Sequence, residues 1–256
     1  MLKKSFLTLF FLLICGSLLL AQEKYDFSQV LDETNEFIKQ PAKWRGNDYI
    51  KLGVITAGTI LVMQADKQIR DEVLKDRRYD NSFVIEGGRM WGEWYSAPLL
   101  AGAFALHGWI NKNNSSKKIG FELIQAAIYS SAITQVVKIS IGRARPYMNE
   151  GAFSYKPFNL NSDYSSLPSG HTANAFAVST VLSKNIDNSF WKAAVYLPAA
   201  CTAVSRVYED QHWASDCFLG AAIGYLCGSW VVDHHDQKES SVKISSIYPL
   251  VVSIEF

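Results

Sequence analysis

Apolar and polar positions fall in long blocks along this chain. Six apolar stretches, roughly 50–65, 95–110, 119–141, 171–184, 190–207 and 213–232, are dominated by Ala, Leu, Ile and Val. Their lengths suit helices better than strands. Polar connectors separate them, at 66–93, 111–118, 143–167, 184–189 and 207–211. The pattern predicts an all-α bundle of about six core helices over residues 49–235. Residues 22–48 read as an amphipathic lead-in, and residues 236–256 as a C-terminal arm, either one strand or an extended segment.

The first 21 residues have a different character. Lys3 and Lys4 precede an apolar run over 6–20, and Ala21 before Gln22 is a plausible cleavage point. This predicts a signal peptide over 1–21 and an exported protein. A bilayer span needs about 20 mostly apolar residues. Most of the six stretches are shorter, and Lys51, Glu122, Lys138 and Lys192 interrupt them with charge that is costly at mid-membrane. Basic residues do not segregate between alternate loops, so no topology follows from them. With the signal removed, six spans would also leave loop 143–167 in the cytoplasm, the wrong side for an exported hydrolase. The expectation is a periplasmic or membrane-associated bundle, soluble or peripherally bound, with an integral membrane placement left open.

Composition narrows the partners. The net charge is +1, so no overall field favours nucleic acid. Of the four cysteines, Cys15 lies in the signal, while Cys201, Cys217 and Cys227 sit in apolar stretches. They read as small buried hydrophobes rather than a disulfide framework or a metal site. Among the histidines, His107 follows an apolar helix and reads as structural. His234 and His235, beside Asp233 and Asp236, have at most an adventitious metal-binding role.

Three patches in the second half carry candidate chemistry. His212 and Asp216 are four residues apart at the start of a helical stretch, so they share one face. A carboxylate there can take the Nδ1 proton of the imidazole and leave Nε2 free as a nucleophile; a structural His–Asp pair capping a helix would look the same. Pro168-Ser169-Gly170-His171 reads as a helix start with Ser169 as N-cap. Its first turn offers free backbone N–H groups to an anion, and Gly170 permits close approach. Lys138 and Arg145 lie seven apart, two helical turns, and Pro146 ends that helix. Arg206 adds a third cation. Guanidinium forks match the oxygens of a phosphoryl group. In an antiparallel bundle the three patches share one rim. Arg143 is close enough to help there, Ser205 reads as positioning Arg206, and the segments 89–95 and 147–164 flank the pocket.

The set Lys-x6-Arg-Pro, Pro-Ser-Gly-His and Ser-Arg-x5-His-x3-Asp resembles the type 2 phosphatidic acid phosphatase and vanadium haloperoxidase superfamily, most strongly over residues 119–232. The resemblance implies a helical bundle of the acid phosphatase/vanadium-dependent haloperoxidase kind. It implies that His212 attacks phosphorus to form a phosphohistidine, that Asp216 orients His212, and that His171 protonates the leaving oxygen and then activates water. Lys138, Arg145, Arg206, Ser169 and Gly170 would hold the phosphoryl oxygens. No metal or cofactor is expected, and vanadate is expected to act as inhibitor or phosphate mimic. The substrate class it implies is a phosphate monoester or pyrophosphate, most naturally lipid-linked. Phosphatidic acid, phosphatidylglycerol phosphate, undecaprenyl pyrophosphate, a lipid A phosphate and a soluble monoester all remain open. A vanadium haloperoxidase and a non-catalytic lipid- or anion-binding bundle are the competing readings.

Overall fold

The structure, a computed structural model, describes residues 27–80 and 82–247. The signal-peptide segment 1–21 and the last part of the arm, 248–256, lie outside them. Among the described residues ten α-helices follow one another: α1 (Phe27–Ile38), α2 (Gln40–Lys43), α3 (Gly46–Lys75), α4 (Phe83–Gly92), α5 (Ser96–Ile110), α6 (Asn114–Ile141), α7 (Gly170–Lys184), α8 (Ser189–Ala194), α9 (Leu197–Tyr208) and α10 (Ala214–Ile247). Single 3-10 turns at Pro146–Met148 and Ser162–Tyr164 shape the loop after α6. No strand occurs among the described residues; one isolated bridge joins Arg143 to Tyr155.

Local chemistry sets the helix ends. Asn113 begins α6 by accepting the Ser116 N–H at 3.0 Å. Gly142 ends α6 with φ +61°, its N–H bonded to the Lys138 carbonyl at 2.8 Å. A Cβ at Gly142 would lie 1.8 Å from the Lys156 carbonyl oxygen, so that turn accepts glycine alone. Ser169 begins α7, its hydroxyl accepting from the Thr172 N–H, as the sequence predicts.

The core lies where α5, α6, α7 and α10 meet. Ala97, Ala101, Leu123, Ala126, Val178, Val181, Cys227 and Val231 are buried there together. Helix α10 packs on α7 above all, and also on α6 and α3, while α4 packs on α9. The α7–α10 seam is tight because α10 presents Gly220, Gly224 and Gly228, one per turn, to Ser169, Ala173 and Ala177.

The all-α class stands, but several boundaries differ from expectation. The lead-in 22–48 contains the docked helix α1, whose Phe37 stacks on Tyr129 with ring centroids 4.2 Å apart. Helix α3 runs ten residues past the predicted end at 65, through charge stabilised by Lys67–Asp71 (2.6 Å) and Arg70–Asp210 (2.6 Å). The connector 66–93 therefore holds the end of α3 and all of α4. The stretch 190–207 splits into α8 and α9 because Pro198 lacks an N–H and opens a new helix instead of continuing the old one. Through residue 247 the C-terminal arm is neither strand nor extended: it continues α10. Its polar residues find partners there. His235 lies 3.0 Å from Glu33 of α1 and 3.5 Å from Glu122 of α6, and Lys238 reaches Glu33 at 3.1 Å. His107 contacts Ser116 at 2.9 Å, a structural role.

One described helical segment, Ala214–Lys238, is long and apolar enough to cross a membrane, with half of its apolar window buried in the bundle. Large apolar side chains are also exposed elsewhere, including Leu61 on α3, Trp109 and Ile110 on α5 and Phe190 and Trp191 on α8.

Candidate active site

The loops after α6 and α9 and the starts of α7 and α10 converge, as the shared-rim expectation requires. The rim is buried, however: His212 is only 3% exposed. Its N–H bonds the Arg206 carbonyl at 3.2 Å, which seats it beside the end of α9. Its Nδ1 lies 2.8 Å from the Ser166 carbonyl oxygen. A carbonyl only accepts, so Nδ1 carries the proton and Nε2 keeps its lone pair.

That contact shares with Asp216 the role expected of the carboxylate alone, and Asp216 still favours the protonated imidazole. Its carboxylate lies 3.6 Å from His212 Nδ1. It accepts instead from the Trp213 N–H at 2.8 Å, from the Ser166 hydroxyl at 2.5 Å and from Arg143 Nη1 at 2.6 Å. Asp216 thus holds the turn that carries His212 and the segment whose carbonyl sets its tautomer. Its backbone carbonyl also takes the Ser169 N–H at 2.9 Å, which ties α10 to the start of α7.

Arg143 is not a rim residue. It is fully buried behind Asp216 and also bonds Asp66 of α3 at 2.8 Å and the Ala152 carbonyl at 2.7 and 2.9 Å. Asp66, fully buried too, takes the Ser215 N–H at 2.9 Å. Two carboxylates thus share one guanidinium, and every group in the knot is hydrogen-bonded, which a buried charge requires.

Around the histidines stand the three expected cations. Lys138, at the end of α6, donates to the Ser165 carbonyl and is almost fully buried. Burial, with Arg145 adding to it, pushes its amine down to about 8. Arg145 is fixed by Gln211 (2.8 Å) and by the Ser162 carbonyl (3.1 Å). Arg206 pairs with Glu209, while its Nε is buried with no hydrogen-bond partner among the described residues. A buried guanidinium donor left over in this way suits an anion. Gly170 sits beside them; a Cβ there would be 3.9 Å from Lys138 Cε. Ser205 does not position Arg206: its hydroxyl bonds the Thr202 carbonyl at 2.8 Å.

His171 opens α7 and is partly exposed, with Nε2 3.5 Å from Glu93 Oε1. Burial, then Arg206, pushes its imidazole down to about 4, against the opposing pull of Glu93. Burial likewise takes His212 down to about 3, with Lys138 adding to it. Both imidazoles rest neutral, the state in which a ring nitrogen keeps a lone pair. Every sequence-predicted site residue is therefore drawn into this region, and the 89–95 segment does flank it.

Residues 120–239 match the PAP2 superfamily. The match spans just under half of the chain. Two similar proteins are lipid A 1-phosphatases. That of Porphyromonas gingivalis is 34% identical over 53% of this chain and 29% of its own length. That of Rhizobium johnstonii is 32% identical over 41% of this chain and 43% of its own length. The chain thus matches less than half of either relative. Among solved structures, a transmembrane PAP2-type phosphatidylglycerolphosphate phosphatase from Bacillus subtilis superposes with TM-score 0.54 at 21% identity, over 73% of this chain and 96% of that one. That likeness supports the all-α fold.

The matched segment holds all eight predicted site residues. Asp66 and Glu93 lie outside it, and sequence reasoning missed both, together with Ser166 and Glu209. Asp66 stood at the end of an apolar stretch and read as the start of a connector. Ser166 contributes a backbone carbonyl, to which side-chain motifs are blind.

Proposed function

We propose that this protein hydrolyses a lipid-linked phosphate monoester through a phosphohistidine on His212, without a metal, on the outer side of a membrane. The observation that carries this reading is the tautomer of His212: Nδ1 is held by the Ser166 carbonyl, so Nε2 is a free lone pair in a pocket of three cations. Nε2 attacks phosphorus, the ester P–O bond breaks, and His171 gives a proton to the departing oxygen. Water then attacks phosphorus as His171 takes a proton from it, the P–N bond breaks with its electron pair returning to His212 Nε2, and inorganic phosphate leaves. Lys138, Arg145, Arg206 and the first turn of α7 stabilise the charge on the equatorial oxygens, the work a metal does in other phosphatases. Lipid A carrying a 1-phosphate is the first substrate to try, on the strength of the named relatives. The exposed apolar side chains on α3, α5 and α8 suit an amphiphilic substrate and a bilayer surface.

Phosphate release from a lipid phosphate and from a small aryl phosphate, in EDTA, tests the reading. Release is expected to persist in EDTA, to stop with vanadate, and to fall by about 10³-fold or more in His212→Ala. Because His212 is buried, that variant is also expected to melt lower. A folded His212→Ala that turns over normally overturns the nucleophile; loss of activity in EDTA points to a metallophosphatase. Halide peroxidation with added vanadate, and no phosphate release, would select the haloperoxidase.

A further inference from the structure

We propose that Glu93 orients His171 and favours its imidazolium once the phosphate anion is bound, for the leaving-group step, and so sets how basic a leaving alcohol this protein can expel. The inference rests on the assignment of His171 as the general acid.

Glu93 follows the last residue of α4 and is locked against α7. Its backbone carbonyl accepts Asn174 Nδ2 at 2.8 Å and the Ser96 hydroxyl at 2.9 Å. Asn174 lies one turn beyond His171, so a single helix carries both the imidazole and the amide that anchors its partner. The neighbouring backbone leaves no slack: a Cβ on Gly92 would stand 2.8 Å from the His171 carbonyl oxygen and 2.4 Å from Thr202 Cγ2. Arg89 Nη1 then aims the carboxylate, donating to Oε1 at 3.1 Å. The same Oε1 is 3.5 Å from His171 Nε2.

A carboxylate accepts, so Nε2 is the nitrogen that carries hydrogen, and Nδ1 is left to face the ester oxygen. The two histidines are therefore held by opposite nitrogens, His212 through Nδ1 and His171 through Nε2. The other charges acting on His171 are Arg206 from α9 and Arg145 from the loop after α6, and both drive its proton off. Glu209, paired with Arg206, and Arg89, paired with Glu93, stand behind them. Among the described residues, Glu93 is the one carboxylate in ion-pair contact with the imidazole. In the step itself the Nδ1–H bond breaks as P–O breaks. The proton neutralises the electron pair left on the alcohol while phosphorus bonds to His212 Nε2.

The test compares kcat/KM for an alkyl phosphate and for 4-nitrophenyl phosphate across pH 5–8. The alkoxide needs a proton to depart; the nitrophenolate does not. Glu93→Gln keeps the shape and removes the charge. It is expected to lose about tenfold on the alkyl substrate and less than about twofold on the aryl one, with the alkaline limb moved down by about one pH unit. Glu93→Asp keeps the charge and is expected to recover the alkyl rate to within about threefold of wild type. Equal losses on both substrates in Glu93→Gln, or an unmoved alkaline limb, would overturn the proposal. His171→Ala separates the two levels. If it loses alkyl turnover selectively and Glu93→Gln does not, the role of Glu93 falls and the acid stands. If His171→Ala is itself indifferent to the leaving group, the acid assignment falls and takes the proposal with it.

Discussion

Gly224→Ala tests the packing that places the chemistry. A Cβ at this position would stand 2.1 Å from the Ala173 carbonyl oxygen and 2.8 Å from the Ala177 nitrogen. Both are backbone atoms of α7, so no side chain can rotate away. Real Cβ atoms essentially never approach within 3.0 Å, so the two helices must part by about 0.9 Å. Overpacking of this kind costs roughly 1–3 kcal/mol, and a rigid backbone neighbour puts it near the upper end. Better helix propensity returns about 1 kcal/mol. The net loss of about 2 kcal/mol lowers the melting temperature by about 4–8 °C for a chain of this size. Turnover should suffer more than stability. Ala173 is one turn from Ser169, and a misplacement of about 1 Å in a catalytic group can cost about a hundredfold in rate. Gly53→Ala is the control: nothing lies within 4 Å of a Cβ there, in the middle of α3. It is expected to stabilise by about 0.5–1 kcal/mol and leave activity alone. Scanning calorimetry and phosphate release on both variants decide the matter. A Gly224→Ala protein that melts no lower than wild type and turns over normally refutes the close seam.

Two further outcomes are expected. Asp66→Asn replaces a carboxylate that accepts from Arg143 and Ser215 by an amide with one acceptor, leaving a buried guanidinium facing a donor. It should cost about 3 kcal/mol, about 6–12 °C in melting temperature, and thermal unfolding beside an Asp66→Glu variant measures it. Acid should destabilise the empty protein. His171 and His212 are held near 4 and 3 in the fold, below the ordinary 6.5, so the unfolded chain binds their protons first. Stability is then lost as pH falls from about 6.5 toward 4. Bound phosphate reverses the sign for His171, because an anion favours the imidazolium, so inorganic phosphate should bind more tightly at pH 5 than at pH 7. Calorimetric titration at the two pH values checks this, and weaker binding at pH 5 would contradict the neutral resting state.

The three motifs were legible because each is local. Lys138 and Arg145, Ser169 to His171, and His212 with Asp216 sit within a few residues of one another, and each lies at a helix end that a cap or a proline marks. The residues that escaped act across the chain. Asp66 meets Arg143 from 77 positions away, and Asn174 reaches the Glu93 carbonyl across 81. Nothing near Asp66 or Glu93 in the sequence marks it as part of the site. The exact partner of His212 escaped for a different reason: His-x3-Asp spacing puts the two on one face, but a backbone carbonyl from the preceding loop lies closer than the carboxylate. Helix lengths went astray where charge continues a helix, as in the second half of α3 and the end of α10, because long-range ion pairs replace apolar burial there.

Glu33, Asp66 and Glu93 all precede residue 120, where the family match begins. Each neutralises or anchors a group inside the matched segment: Glu33 meets His235, Asp66 meets Arg143, and Glu93 meets His171. The borders of the recognisable homology are therefore not borders of an autonomous unit. A fragment cut at 120 would keep every motif residue but lose one of the two carboxylates that share the buried Arg143 guanidinium. Module shuffling or truncation in this protein must carry the upstream helices along, since the matched segment holds the reactive groups and the part before it supplies some of their partners.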